Sequence, residues 1–158
     1  MLFKTVLRDS WAPVLREEGF QGSGRIFLIP DHRDWAMLGF QSSTASNAEW
    51  VKFTMNLMVV GKAPWEDARE EWPSLPARPS PNTLYRHRYA ERVGQLTHGR
   101  DHWWRIDAAR ETGPLIAEIT AVLRDVAAPV LRREMADQTP GPRGAFEEAF
   151  RRKRGTGI

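Results

Sequence analysis

The chain has 158 residues, 41% hydrophobic and 27% charged, which predicts one folded domain with a real core and argues against intrinsic disorder. It contains no cysteine, so a disulfide framework, a thiolate metal site and a cysteine nucleophile are all excluded. The net charge of +3 comes from the end of the chain, where residues 143–158 hold five basic side chains against two acidic ones and residues 1–142 sum to zero; a neutral body argues against a nucleic-acid-binding fold, which carries its basic face on the folded part.

Phe3, Val6, Leu7, Trp11, Val14 and Leu15 fall at helical spacing and predict a first helix ended by Gly19. Pro13 has no N–H for the Asp9 carbonyl and predicts a kink. The glycines of GFQGSG, residues 19–24, follow a helix and precede a strand. A phosphate-binding loop needs the opposite order, so this stretch reads as a flexible connection. Residues 25–29 form a short strand, followed by the turn-rich PDHRD. Residues 35–41 are a second strand. Residues 51–60 are the clearest, with Val51, Phe53, Met55, Leu57 and Val59 alternating with Lys52, Thr54, Asn56 and Met58, as on a half-buried antiparallel strand.

Residues 61–90 break this frame with Pro64, Pro73, Pro76, Pro79 and Pro81, and with Trp65 and Trp72 around one short acidic helix. A connection of that length covers something or is functional. Residues 91–97 and 102–107 read as a hairpin around Gly99. Thr112 is the expected N-cap of a last helix, with Pro114 in its first turn and an apolar stripe from Leu115 to Leu131. Residues 136–145 form a Pro/Gly linker into an amphipathic piece at 146–150.

The two end helices share a sequence. VLRDSWAPVLREE at 6–18 and VLRDVAAPVLRRE at 122–134 agree at ten of thirteen positions, 116 residues apart. The repeat includes the proline, so both helices are expected to bend alike over one body. The fold class is therefore α+β: an antiparallel sheet of about five strands with kinked N- and C-terminal helices packed on one face. The expected organisation is a single domain at 1–140, with 61–90 as a covering insertion, and a basic tail at 141–158.

Alternation along the strands also selects a candidate binding face. Trp103 and Trp104 are adjacent, so in a strand they point to opposite sides of the sheet. If Trp104 and Ile106 join the core under the helices, Trp103 stands on the other face with Arg105. The same alternation places Trp35, Met37 and Gln41 there, beside Thr54, Asn56 and Met58. Aromatic and thioether surface dotted with amide and guanidinium groups suits a ligand or a partner. It equally suits coverage by the 61–90 segment or by a second copy of the chain.

Catalytic and metal motifs are weak. There is no G-x-S-x-G and no P-loop. His98 and His102, with His32, His87 or Asp101, could approach one another around a turn, but no metal-ligand spacing supports them and no metal or cofactor is expected. Asp31, His32, Arg33 and Asp34 read as a charged tight turn rather than as acid–base groups. Glu66, Asp67, Glu70 and Glu71 read as the wet side of a short helix.

The order of short motifs is more specific than any one of them. Gly19-Phe20 closes the first helix, and Phe40-Gln41-Ser42 ends a strand. FTMNLMV follows, then ERVGQL, then Trp103-Trp104-Arg105-Ile106 before the last helix. Over roughly residues 3 to 132 this arrangement resembles the bacterial family known only as domain of unknown function number four-three-zero-four. The resemblance implies the α+β fold and supplies no catalytic residues.

Three functions compete at this level. The first is a non-catalytic cytoplasmic binding module, immunity-like or accessory, that uses Trp35, Met37, Gln41, Asn56, Trp103 and Arg105 to hold a protein partner, a second copy included. The second is a small enzyme or ligand-binding protein. It would close 61–90 over an apolar small molecule, oriented by His32, Gln41, Asn56 and Arg105. The third is a nucleic-acid accessory acting through the tail, whose affinity would fall with salt. No membrane role is expected, since no apolar run approaches a span and the N-terminus has no cleavable-leader pattern.

Overall fold

The computed structural model describes residues 1–83 and 85–143. The expected piece at 146–150 and nearly all of the basic tail lie outside the described residues.

Helix α1 runs through residues 2–17. It starts as α-helix at Leu2–Val6, widens to a π-turn at Leu7–Trp11 and returns to α-helix at Ala12–Glu17. Its end is a Schellman cap: Phe20 N–H reaches the Leu15 carbonyl at 2.9 Å and Gly19 N–H that of Arg16 at 3.1 Å. Gly19 sits at φ +93°, where a side chain would be strained.

Strands β1 (Gln21–Ser23) and β2 (Ile26–Ile29) form a hairpin. The glycine-rich stretch is thus partly an edge strand, because residues 21–23 find a partner in Ile26–Leu28 that residue types alone do not reveal. At the next turn the Asp31 carboxylate accepts from the N–H groups of Arg33 and Asp34, at 2.9 and 2.8 Å, an Asx turn. Strands β3 (Asp34–Ser42) and β4 (Trp50–Gly61) then pair along nine residues.

Helix α2 (Lys62–Glu71) follows, then strand β5 (Tyr89–Arg92), helix α3 (Val93–His98) and strand β6 (Trp104–Asp107). Here the expected hairpin around Gly99 is corrected. Residues 93–98 are helical, and Gly99 is the left-handed residue at the end of that helix, at φ +66°. Strands β5 and β6 do not pair with each other. Both lie against the same edge of β4, β5 beside Asn56–Val59 and β6 beside Trp50–Phe53. A helical turn is what lets the chain travel along that edge instead of reversing on itself. The sheet has six strands in the order β1-β2-β3-β4, with β5 and β6 end to end beyond β4.

Helix α4 spans residues 113–136 and repeats the design of α1: α-helix at Gly113–Val122, a π-turn at Leu123–Ala127 and α-helix at Ala128–Ala136. Thr112 is at the N-cap position, though its side chain makes no capping bond. In both helices an i→i−5 bond closes immediately before the proline, Ala12 N–H to the Leu7 carbonyl and Ala128 N–H to the Leu123 carbonyl. The proline ring would collide with the carbonyl four residues back in a regular helix. The wider turn makes room for it, so the repeated sequence encodes a repeated bulge.

Both helices lie on one face of the sheet. Trp11 is fully buried and stacks on Phe40, with ring centroids 5.8 Å apart and planes within 4°. Phe53 packs against Trp11, Phe3 and Trp104. Leu123 and Leu131 from α4 complete this core. At the matching position of the second copy Trp11 is replaced by Ala127, also fully buried, so one indole serves both helices.

Candidate functional site

The register places the predicted face as alternation requires. Trp35, Met37 and Gln41 of β3 stand opposite Val60, Met58 and Thr54 of β4, and Arg92 of β5 stands opposite Asn56. All are on the side away from the two long helices. The face divides into three zones.

In the first, the insertion covers the sheet. Trp65, from α2, is fully buried and packs with Met37, Met58 and Val60 in a second small core. Its indole N–H is shared by the carbonyls of Pro76 and Ala77, at 3.1 and 3.2 Å. Met37 is completely buried here. Trp35 is half-buried, with the Lys62 ammonium 4.8 Å from its ring centroid. Trp72 stays outside, 48% exposed, under the Arg86 guanidinium.

The second zone is an amide cluster. Asn56 Nδ2 donates to Gln41 Oε1 at 2.7 Å and to Asn82 Oδ1 at 3.0 Å, and Asn82 Nδ2 donates to the Phe40 carbonyl at 3.1 Å. Asn56 Oδ1 is buried without a hydrogen-bond partner. The cavity beside it, lined by Pro81, Thr83 and Ala90 among others, measures about 10 Å³. That holds roughly one water molecule, far below the roughly 300 Å³ at which small-molecule pockets begin.

The third zone is open. Trp104 opens β6 and is buried against Phe53, its indole N–H donating to Glu118 Oε1 at 3.2 Å. Trp103 lies one residue before the strand, half-buried, under the Arg92 guanidinium at 5.1 Å from its centroid. Arg105 is exposed and covers the Trp50 ring at 4.4 Å. Arg92 is also paired with Asp101 at 2.7 Å and Arg105 with Asp107 at 3.1 Å. The Asp107 carboxyl is held below the usual range by the Ala109 N–H and by Arg105. Lys52 and Arg105 are directly opposite across the ladder.

The predicted residues are therefore brought together in pairs and not as one surface: Trp35 with Met37, Gln41 with Asn56, Trp103 beside Arg105. Sequence reasoning left Trp50, Lys52, Arg92 and Asn82 out of the site. Lys52 already stood on the outer side of the alternation at 51–60, and extending that alternation by one residue at its start finds Trp50. Asn82 has no such signal, because it reaches the sheet from an aperiodic segment.

His98 and His102 do approach, as a face-to-face stack with centroids 3.7 Å apart. Among the described residues no group of three or more histidines and acids is arranged to hold a metal ion, and no helix is long and apolar enough to cross a membrane. His32 is exposed in the Asx turn, away from the amide cluster that it was expected to join.

No curated protein and no solved structure matches the chain. One family model, described as Domain of unknown function (DUF4304), matches residues 11–133, a span that runs from the fully buried Trp11, the last residue of the first bulge, through the whole of the second. With most of its length inside that match, the chain belongs to the DUF4304 family.

Proposed function

We propose that this domain is a non-catalytic cytoplasmic binding module whose open zone, built from Trp50, Lys52, Arg92, Trp103 and Arg105, recognises an acidic surface on a protein partner. One observation carries the reading. Lys52 and Arg105 face each other on an exposed sheet surface, where like charges directly opposite are destabilising, and the Arg105–Asp107 pair offsets only part of that charge. A folded domain gains from that arrangement when an anionic partner neutralises it. Two half-buried indoles flank the cations, and tryptophan with arginine dominates the residues that hold interfaces together. Burying the exposed half of Trp103, at about 25 cal/mol per Å² over roughly half of the 150–250 Å² an aromatic buries, contributes about 2–3 kcal/mol. The one-water cavity beneath the insertion supports this reading over a substrate pocket.

The test is binding to the proteins encoded beside this gene, measured for the native chain, Trp103→Ala and Arg105→Glu. A partner bound by the native chain and at least about tenfold weaker with either variant, at unchanged melting temperature, supports the reading. A partner that is a second copy of the chain would show as a dimer lost in both variants. Binding indifferent to both substitutions, or turnover of a small molecule by the domain, overturns it.

A further inference from the structure

A groove of about 470 Å³ opens between helix α1 and the β1–β2 hairpin, far larger than the cavity beneath the insertion. Its lining holds four cations, Lys4, Arg8, Arg16 and Arg25, and no acid. Leu7 and Ala12, both buried in the core, supply an apolar floor. Two of the cations are held in place. Arg16 donates to the Gly22 carbonyl at 3.1 Å, and Arg25 donates to Ser42 Oγ at 2.6 Å while lying 5.2 Å over the Phe3 ring.

The internal repeat shows how unusual this is. Arg8 and Arg16 correspond to Arg124 and Arg132, 116 residues later. In the second copy these cations are answered by α1: Arg124 pairs with Glu17 at 2.8 Å and with Glu18 at 3.8 Å, and Arg132 donates to the Glu18 carbonyl at 2.6 Å. In the first copy only Arg8 has an acid, its sequence neighbour Asp9, in an exposed pair. Arg124 is thus paired with acids across the helix pair while Arg8 has only its own neighbour, and Arg132 and Arg16 each donate to a backbone carbonyl, Arg132 across the helix pair and Arg16 at the rim of the groove.

We propose that this groove binds a small amphiphilic anion, its carboxylate or phosphate held by Arg16 and Arg25 and its apolar body laid over Leu7 and Ala12. The volume suits a small molecule. The fixed guanidinium groups suit the charge-assisted, paired hydrogen bonds that arginine makes to either headgroup. The site is separate from the open zone of the sheet, so it stands whether or not that zone binds a partner.

Isothermal titration of the full chain with octanoate, octyl phosphate and inorganic phosphate tests it. One saturable site for octanoate or octyl phosphate is expected, tighter than for inorganic phosphate and weakening as salt is raised. The better alkyl anion identifies the headgroup. Lys4→Gln with Arg8→Gln alters only exposed side chains, and Arg16→Gln with Arg25→Gln removes the fixed pair. Each double variant should weaken binding, the second by about tenfold or more. Arg124→Gln, at the matching position of the other copy, should leave it unchanged. The proposal fails if neither alkyl anion binds at millimolar concentration, if the Arg16/Arg25 variant binds like the native chain, or if Arg124→Gln weakens binding equally.

Discussion

Arg88 grips Asp34 with both ends of its guanidinium, Nη1 to Oδ1 at 2.9 Å and Nη2 to Oδ2 at 2.8 Å, and the aspartate is only 2% exposed. The hydrogen bonds that Arg88 donates to Asp34 raise the affinity of the guanidinium for its proton. Arg88 Nη2 also reaches the Glu134 carbonyl at 3.2 Å, Gln138 donates to Asp34 at 3.2 Å, and Arg143 pairs with Glu134 at 2.9 Å. The start of β3, the approach to β5 and the end of α4 are therefore tied at one point. Arg143, expected in a free tail, is part of that knot.

Breaking one side of such a pair leaves the other charge buried. Asp34→Ala should cost about 3–5 kcal/mol, read from the urea midpoint. Replacing both partners with apolar residues, as in Asp34→Leu with Arg88→Met, should restore much of the loss, because the desolvated charge is gone. A loss under about 1 kcal/mol for the single change would mean that the pair is solvated in solution and holds nothing together.

The adjacent indoles should part company in a stability measurement. Trp104→Ala empties core beside Phe53 and should cost about 3–5 kcal/mol. Trp103→Ala removes a half-buried ring against Arg92 and should stay within about 1 kcal/mol of the native chain. Equal losses would place both rings in one interior and remove the open zone.

The stacked histidines make stability depend on pH. Burial lowers the pKa of His102, and the nearby His98 and Arg100 lower it further, with Glu118 opposing them. The folded state then binds fewer protons at this site than the unfolded chain, whose histidine titrates near about 6.5. The contribution is complete above that value and is lost as pH falls through the lowered one. Unfolding midpoints compared between pH 7.5 and pH 5 should therefore fall more steeply for the native chain than for His102→Asn. Parallel slopes would assign the acid sensitivity to other groups.

How far the sequence announced this structure follows from where periodicity exists. The alternation of residues 51–60 and the helical stripes at both ends are local signals, and they fixed the faces of β3 and β4 and the layer of helices above them. The repeated proline pointed to a matching bend in each helix, though only the closed i→i−5 bonds show it to be a π-turn. The hairpin expected around Gly99 failed because a glycine in the left-handed region ends a helix as readily as it turns a strand. The open zone was half legible: Trp103 and Arg105 follow from alternation, while Arg92 enters only through the pairing of β5 with β4. Asn82 and the basic groove depend on contacts between distant segments, which composition and spacing do not encode.

The last prediction asks whether the insertion is fixed packing or a movable cover. Gly39 faces the insertion, and a methyl group there would collide with the Asn82 amide oxygen and come within 2.8 Å of the Pro81 ring. The Asn82 amide can swing away, but only by giving up its bonds to Asn56 and to the Phe40 carbonyl. The proline ring is stiffer. Gly39→Ala should therefore lift residues 81–82 from the sheet and cost about 1–3 kcal/mol, the range for overpacking. Amide exchange and protease cutting should rise within residues 73–83 while α1, α4 and the strands beneath keep their protection. Binding through Trp103 and Arg105 should survive, because that zone lies beyond the covered part of the sheet. If exchange in 73–83 is unchanged, the proline-rich segment is not anchored through this contact, and its hold on the sheet rests on the cluster of Trp65 with Leu75 and Tyr85.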